Sequence, residues 1–283
     1  MSGFKELHPI DYVVSSVRKL VYHRPRVVSV PIGEALGRYA AEDVVAPLDI
    51  PPFNRAVVDG YAVRSRDTFG ASPSNPAILR VVGFTAVGRV PSVSIGPGEA
   101  VEVSTGAPLP EGADAVVMYE KTRRVGDILE VLEPVPPLAN VSRVGEDVRR
   151  GEVILRRGTR LMPWDVAVLA SLGFREVRVY DVRVAVASIG SELVSLEEAV
   201  DIQELYRRGL VVNSNRYSIE GLLKLHGFTP EYIGIIPDDV DAIRRAIGEA
   251  LESYDAVITT GGASVGKVDY TVEAVRGLNP EFL

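Results

Sequence analysis

The feature that most limits the fold is the order of apolar runs after Arg183. Val184 to Ile189 reads as a buried strand, Asn215 to His226 as a helix stopped by Gly227, and Glu231 to Ile236 as a second strand. Val240 to Tyr254 then places Ile243, Ala246, Ile247, Ala250 and Leu251 on one helical face, and Ala256 to Thr260 forms a third strand before a glycine-rich turn. Strands alternating with helices of this length predict a parallel, doubly wound sheet. Such sheets bind ligands at the carboxyl ends of their strands.

This region fills only the last third of the 283 residues, so two or three domains are expected. From Pro51 to about Asn140 the texture is different. Val-rich runs (Ala77 to Phe84, Gly98 to Ser104, Ala115 to Glu120, Ile128 to Leu132) alternate with Gly, Pro and Asn clusters, which is the pattern of a β-rich module. Pro134, Pro136 and Pro137 close it as a stiff connector. Before the module, Ile10 to Tyr22 has Val13, Val14, Val17, Leu20 and Val21 at helical spacing, Ile32 to Tyr39 suggests a short second helix, and Asp43 to Ile50 reads as extended. After it, Thr159 to Leu172 predicts an extended entry and a helix, with Pro163 near its start and Gly173 at its end.

Composition excludes some chemistry. With no cysteine, disulfides, thiolate zinc sites and cysteine nucleophiles are ruled out. A net charge of -7 argues against nonspecific nucleic-acid binding but leaves room for a local basic pocket. No apolar run has membrane-spanning length and the start of the chain shows no export signal, so a cytoplasmic protein without membrane or nucleic-acid partners is expected. His8, His23 and His226 are too scattered to suggest a metal site or a triad.

Six short runs carry the candidate chemistry. In TTGGASVGKVDY (Thr259 to Tyr270), Gly261, Gly262 and Gly266 permit close backbone approach, and their amides with the Ser264 hydroxyl could hold an anion. A plain tight turn would use the same glycines. Gly261 to Lys267 also fits the spacing of a phosphate-binding P-loop, but Val268 stands where that motif needs Ser or Thr, so a nucleotide triphosphatase is rejected. Asp269 follows, as a possible metal ligand or a helix cap. SIGSEL (Ser188 to Leu193) puts Glu192 at the end of the first strand, and IIPDD (Ile235 to Asp239) puts Asp238 at the end of the second. Asp238 and Asp239 could also be a solvated pair opening a helix. Glu192, Asp238 and Asp269 at strand ends beside an anion-binding turn suggest a hard divalent cation, most plausibly magnesium. In the β-rich module, PPFNRAVVDGYAV (Pro51 to Val63) holds Asp59-Gly60, a dipeptide that a hairpin would also explain. STGAPLPEGADAVV (Ser104 to Val117) carries Thr105, and VGEDVRRGEVIL (Val144 to Leu155) carries Asp147.

In order along the chain, these runs resemble the molybdopterin molybdenumtransferase family, which includes the MoeA proteins and the gephyrin E-domain. The most specific are PPFNRAVVDGYAV, TGAPLPEGADAVV, VGEDVRRG and TTGGASVGKVDYT. The resemblance implies a multidomain α/β plus β chain. Residues 1–50 with 141–177 would form a helical segment, 51–140 the inserted β-rich module, and 178–283 a doubly wound molybdopterin-binding-like domain, incomplete at its C-terminus. It further implies a homodimer whose active site lies between the doubly wound domain of one subunit and the β module of its partner. There, with Mg2+, molybdate would enter adenylylated molybdopterin, supplied by the pathway's adenylyltransferase, and AMP would leave. Carried over by motif, Asp59, Thr105, Asp147, Glu192, Asp238 and Asp269 would be catalytic, with Glu192 and Asp269 as metal ligands. Ser188, Gly190, Gly261, Gly262, Ser264 and Gly266 would bind the cofactor.

Two departures qualify this expectation. Where the family usually has Thr-Gly-Asp-Glu-Leu, this chain has Ile189 for the Thr and Ser191 for the Asp. The family also continues past the position of Leu283 with a lysine-containing segment and a fourth domain. A non-catalytic molybdopterin-binding or scaffolding fragment is therefore the alternative. The adenylyltransferase of the pathway would explain only residues after about 180.

Overall fold

The computed structural model describes residues 9–20, 25–261 and 270–280. The chain forms two compact units, Asp43–Leu155 and the combination of Met1–Glu42 with Arg156–Leu283.

The Asp43–Leu155 unit is built on a six-stranded sheet. Its order is Ala115–Met118, Gly60–Val63, Glu99–Val103, Ala77–Thr85, Ile128–Val131, Thr122–Val125. All neighbours are antiparallel except Ala77–Thr85 and Glu99–Val103, which run parallel with a register shift between Val81 and Gly83. The alternation read from the sequence works along Ala77–Thr85, where Leu79 and Val81 are buried and Ile78 and Arg80 are exposed. It fails for Gly60–Val63, whose residues are all buried, because apolar clusters cover both of its faces. Tyr61, Val63, Leu79, Val117, Leu129 and Val131 pack on one side, and Ala62, Val101, Val103, Val116 and Ile95 on the other. Burial of each large side chain contributes about 1.5–3 kcal/mol. The hairpin suggested by Asp59-Gly60 does not form. Arg55–Ala56 pairs with Val141–Ser142, while Gly60–Val63 pairs with two other strands.

The other unit joins an antiparallel sheet to a parallel one. The antiparallel sheet has Glu176–Asp181 between Arg26–Pro31 and Tyr39–Ala40. The short helix expected over Ile32 to Tyr39 shrinks to one 3-10 turn, Ile32–Glu34. Gly37 adopts a φ of +79°, which ends any helix, and Tyr39 then pairs with Tyr180. The helix Ile10–Leu20 forms, with Val13, Val14 and Val17 exposed. The helix Pro163–Ser171 starts on its proline and is followed by Gly173 at a φ of +83°.

The parallel sheet has the order Thr229–Ile236, Arg183–Ile189, Ala256–Gly261. The first strand in sequence is therefore central. The helix Asn215–Leu225 packs on the first two strands, and the helix Val240–Leu251 packs on Ala256–Gly261 and on the helix Tyr270–Arg276. Ile243, Ile247 and Ala250 are buried as the periodicity requires, the two isoleucines against Ala187, Ile189 and Ile236. Leu251, expected on that face, is the helix's last residue and is 52% exposed. No helix among the described residues is long and apolar enough to cross a membrane.

Candidate functional site

In the Asp43–Leu155 unit, two residues picked from separate motifs meet. Asp59 Oδ1 accepts the backbone N–H of Thr105 at 2.7 Å and its hydroxyl at 3.1 Å. The ladder is the reason. Gly60 pairs with Val103, so the residue before one strand and the loop after the other share one sheet edge. Both side chains are exposed there, and the carboxylate keeps its second oxygen free of these bonds. Gly60 is required by close approach. A Cβ at that position would stand 2.0 Å from the Val117 carbonyl oxygen. The Thr105 loop also grips the neighbouring short strand, since Gly106 N–H donates to Ala56 O and Ala56 N–H donates to Ala107 O. In that strand Arg55 pairs with Asp147 at 3.8 Å, while the Asp147 amide donates to Ile50 O. The Asp147 backbone is thus anchored, and its exposed carboxylate lies beside Arg55.

A group that the motifs did not flag lies on the same sheet. Tyr119 donates its hydroxyl to Glu102 at 2.8 Å, and Arg124 donates to the other Glu102 oxygen at 2.7 Å. Tyr61 meets Tyr119 edge to face, with ring centroids 5.3 Å apart. Burial pushes the Tyr119 hydroxyl well above its ordinary pKa, and the Glu102 hydrogen bond and the Glu102, Tyr61 and Asp59 charges add to this. The phenol stays protonated at neutral pH and serves as a donor. The cross-strand register that opposes Tyr61 to Glu102 could have signalled the group, but register is not visible in an isolated run.

In the other unit the parallel strand order matters. Arg183–Ile189 leads by one connection to Thr229–Ile236 on one side and lies beside Ala256–Gly261 on the other. The loops leaving Ile189 and Gly261 therefore flank a topological switch point, where open α/β sheets take ligands. Gly261 has a φ of +86°, and a Cβ on it would stand 2.0 Å from Ile189 O, so only glycine lets the two strand ends run this close. Gly190 donates its N–H to Ile236 O. The Glu192 carboxylate turns back over Gly190, with both oxygens 2.7 Å from where a Gly190 Cβ would lie. Asp238 Oδ2 accepts the Ser191 N–H at 2.9 Å, and Asp238 N–H donates to Ser191 Oγ at 3.2 Å. Asp239, by contrast, caps the following helix by accepting from Ala242 N–H. The two adjacent aspartates thus divide the roles that the sequence left open.

Ser188 is fully buried and donates its hydroxyl to Asn213 Oδ1 at 3.0 Å. Gly262, Ser264, Gly266 and Asp269 lie outside the described residues, as does the rest of that turn through Asp269. Among the described residues, no group of three or more His, Cys, Asp or Glu side chains is placed to hold a metal ion. Glu192 and Asp238, on adjacent loops, supply hard carboxylate oxygens, the donor type that magnesium prefers.

Comparison with known proteins covers both units. Residues 8–173 match the MoeA N-terminal region (domain I and II), and residues 185–281 match the probable molybdopterin binding domain. A putative molybdopterin biosynthesis protein of Methanocaldococcus jannaschii is 42% identical over 288 residues, covering 98% of this chain and 69% of its own length. A molybdopterin molybdenumtransferase of Staphylococcus aureus is 37% identical over 257 residues, covering 90% of this chain and 60% of its own. The crystal structure of a molybdopterin biosynthesis MoeA protein from Pyrococcus horikoshii OT3 superimposes with a TM-score of 0.82 at 39% identity, over 90% of this chain and 67% of that one. The chain thus spans about two thirds of the length of the relatives it matches. With its two halves matched in order and its fold shared, the chain belongs to the MoeA family of molybdenum cofactor biosynthesis.

Proposed function

We propose that this chain takes part in the insertion of molybdate, or tungstate, into adenylylated molybdopterin, with release of AMP. The observation that carries the reading is the Asp59–Thr105 pair. Two residues 46 positions apart, each chosen from a family motif, are joined at an exposed sheet edge, with one carboxylate oxygen left outside these two bonds. The hydrogen bonds that join the Glu192 and Asp238 loops at the carboxyl ends of neighbouring strands support it from the other unit.

On this reading the protein's own groups bind and orient. Gly261, with Gly262, Ser264 and Gly266 carried over by motif, would bind the phosphate or pterin part of the substrate. Asp59, oriented by its two bonds from Thr105, presents its other oxygen as an acceptor, and Arg55 lies beside Asp147. Glu192 and Asp269 would hold magnesium, with Asp238 fixing the Glu192 loop through Ser191. Bound there, the ion would neutralise phosphate charge on the substrate. No covalent nucleophile is required, and the rate gain comes from positioning molybdate against the dithiolene sulfurs. The assembly proposed is a cytoplasmic homodimer that receives its substrate from the pathway's adenylyltransferase.

The test is cofactor formation from adenylylated molybdopterin, molybdate and Mg2+ by the purified chain, followed by AMP release. Glu192→Ala and Asp269→Ala are each expected to abolish insertion while the far-ultraviolet circular dichroism stays that of the parent. Full activity in either variant removes the carboxylate-metal reading. A folded chain that binds the pterin and never releases AMP would establish the binding fragment instead.

A further inference from the structure

The segment Val211 to Asn215, which no motif singled out, touches all three strands of the parallel sheet. Val211–Val212 pairs in parallel with Leu193–Val194, so Val211 N–H donates to Glu192 O and Asn213 N–H donates to Val194 O, both at 2.9 Å. Asn213 is one of the few buried polar residues of this unit, at 4% exposure. Its amide is used at both ends. Oδ1 accepts from Ser188 on the central strand, and Nδ2 donates to the Tyr232 hydroxyl on the second strand at 2.7 Å. Two residues on, Asn215 Nδ2 donates to Thr260 Oγ1 on the third strand at 3.0 Å, one residue before Gly261.

From this we infer that Asn213 and Asn215 are positioning residues for the site proposed above. Together they tie the Glu192 loop and the Gly261 strand end to one another across the switch point. The chemistry suits the task. A carboxamide is planar and uncharged, so it can accept from one hydroxyl and donate to another at fixed spacing without adding charge beside an anionic ligand. Leu or Val at 213 would fill the volume but leave the buried Ser188 hydroxyl without its partner. The Ser188 hydroxyl is then a structural anchor: its proton is committed to Asn213 and it is sealed from solvent. The Glu192 carboxylate, by contrast, hangs from a loop whose backbone is held by Val211 and Asn213.

The inference rests on the proposed function for its ligand, and the experiment separates the two. Asn215→Ala is the leading variant because Asn215 is exposed and its loss leaves the core packing intact. Asn213→Ala and Tyr232→Phe break the buried half of the network. Binding of adenylylated molybdopterin in the presence of Mg2+ is measured by calorimetry, melting is measured alongside, and amide hydrogen exchange is recorded without ligand. Asn215→Ala is expected to weaken binding about tenfold or more with an unchanged melting temperature, and to speed exchange at Thr260 and Gly261. Tyr232→Phe is expected to speed exchange at Gly190, Ser191 and Val211. Parental affinity and parental exchange in Asn215→Ala overturn the inference, as does an affinity loss matched by loss of fold. If the unaltered chain does not bind the pterin, the proposed function fails. The exchange rates then decide the inference: faster exchange at the named amides upholds the tie, and parental exchange overturns it.

Discussion

Asp181 joins the antiparallel sheet of its unit to the parallel one through Arg26 and Thr229. It ends the antiparallel strand Glu176–Asp181 two residues before the central parallel strand begins, and its side chain is only 10% exposed. Arg26 hydrogen-bonds one carboxylate oxygen, while Arg38 at 3.3 Å and the Thr229 hydroxyl at 3.0 Å share the other. Desolvation acts to raise its pKa, but the Arg26 and Thr229 bonds and the Arg26 and Arg38 charges outweigh it and hold the carboxyl below its ordinary 3.8. Replacing Asp181 by Ala removes all of these contacts. Arg26 is 64% exposed and simply returns to water, so that pair accounts for less than about 1 kcal/mol. The Thr229 bond to a charged acceptor and the loss of a partner for Arg38, which is 28% exposed, bring the total to about 2–4 kcal/mol. For a unit of this size, that lowers the melting temperature by roughly 5–10 °C. The sign of the pH dependence follows from the depressed value. The stabilisation is complete above pH 3.8 and is lost as pH falls through the folded-state pKa. Scanning calorimetry of the parent and of Asp181→Ala at pH 7, 5 and 3.5 is the assay. The gap between them should hold from pH 7 to 5 and narrow at 3.5. A gap below about 2 °C at pH 7, or one that widens in acid, refutes the reasoning.

Two further predictions concern the other unit. Gly60→Ala puts a methyl 2.0 Å from Val117 O, so the strand must move by about 1 Å; we expect a loss of about 3 kcal/mol in guanidinium unfolding. The same shift pulls Asp59 away from Thr105, and a variant of parental stability would contradict the close approach. Leu129→Ala opens a cavity in the cluster with Tyr61, Leu79 and Val131, and is expected to lower stability by about 2–5 kcal/mol in urea. A loss under about 1 kcal/mol would mean that Leu129 does not fill that core.

The sequence by itself determined the classes of element and their order. The sequence located the strands Arg183–Ile189, Thr229–Ile236 and Ala256–Gly261 and the helices between them, because one buried face repeats every 3.6 residues in a helix and the central parallel strand, buried along its length, is nearly all apolar. The family resemblance of their motifs pointed to Asp59 and Thr105. The local pattern misjudged Ile32 to Tyr39, where the strand Tyr39–Ala40 wins its pairing with Glu176–Asp181 from residues more than 130 positions away. The hairpin that Asp59-Gly60 could equally have meant is not formed, because the strand partners come from Glu99–Val103 and Ala115–Met118. Only the tertiary structure decided the rest. Which strand is central, which oxygen of Asp59 is occupied, which of Asp238 and Asp239 caps a helix, and the reach of Asn213 to Ser188 and Tyr232 all depend on register and on contacts between distant residues. A local pattern records whether a residue will be buried. It does not record what that residue will meet, because pairing is settled by the competition of whole strands for the same partners.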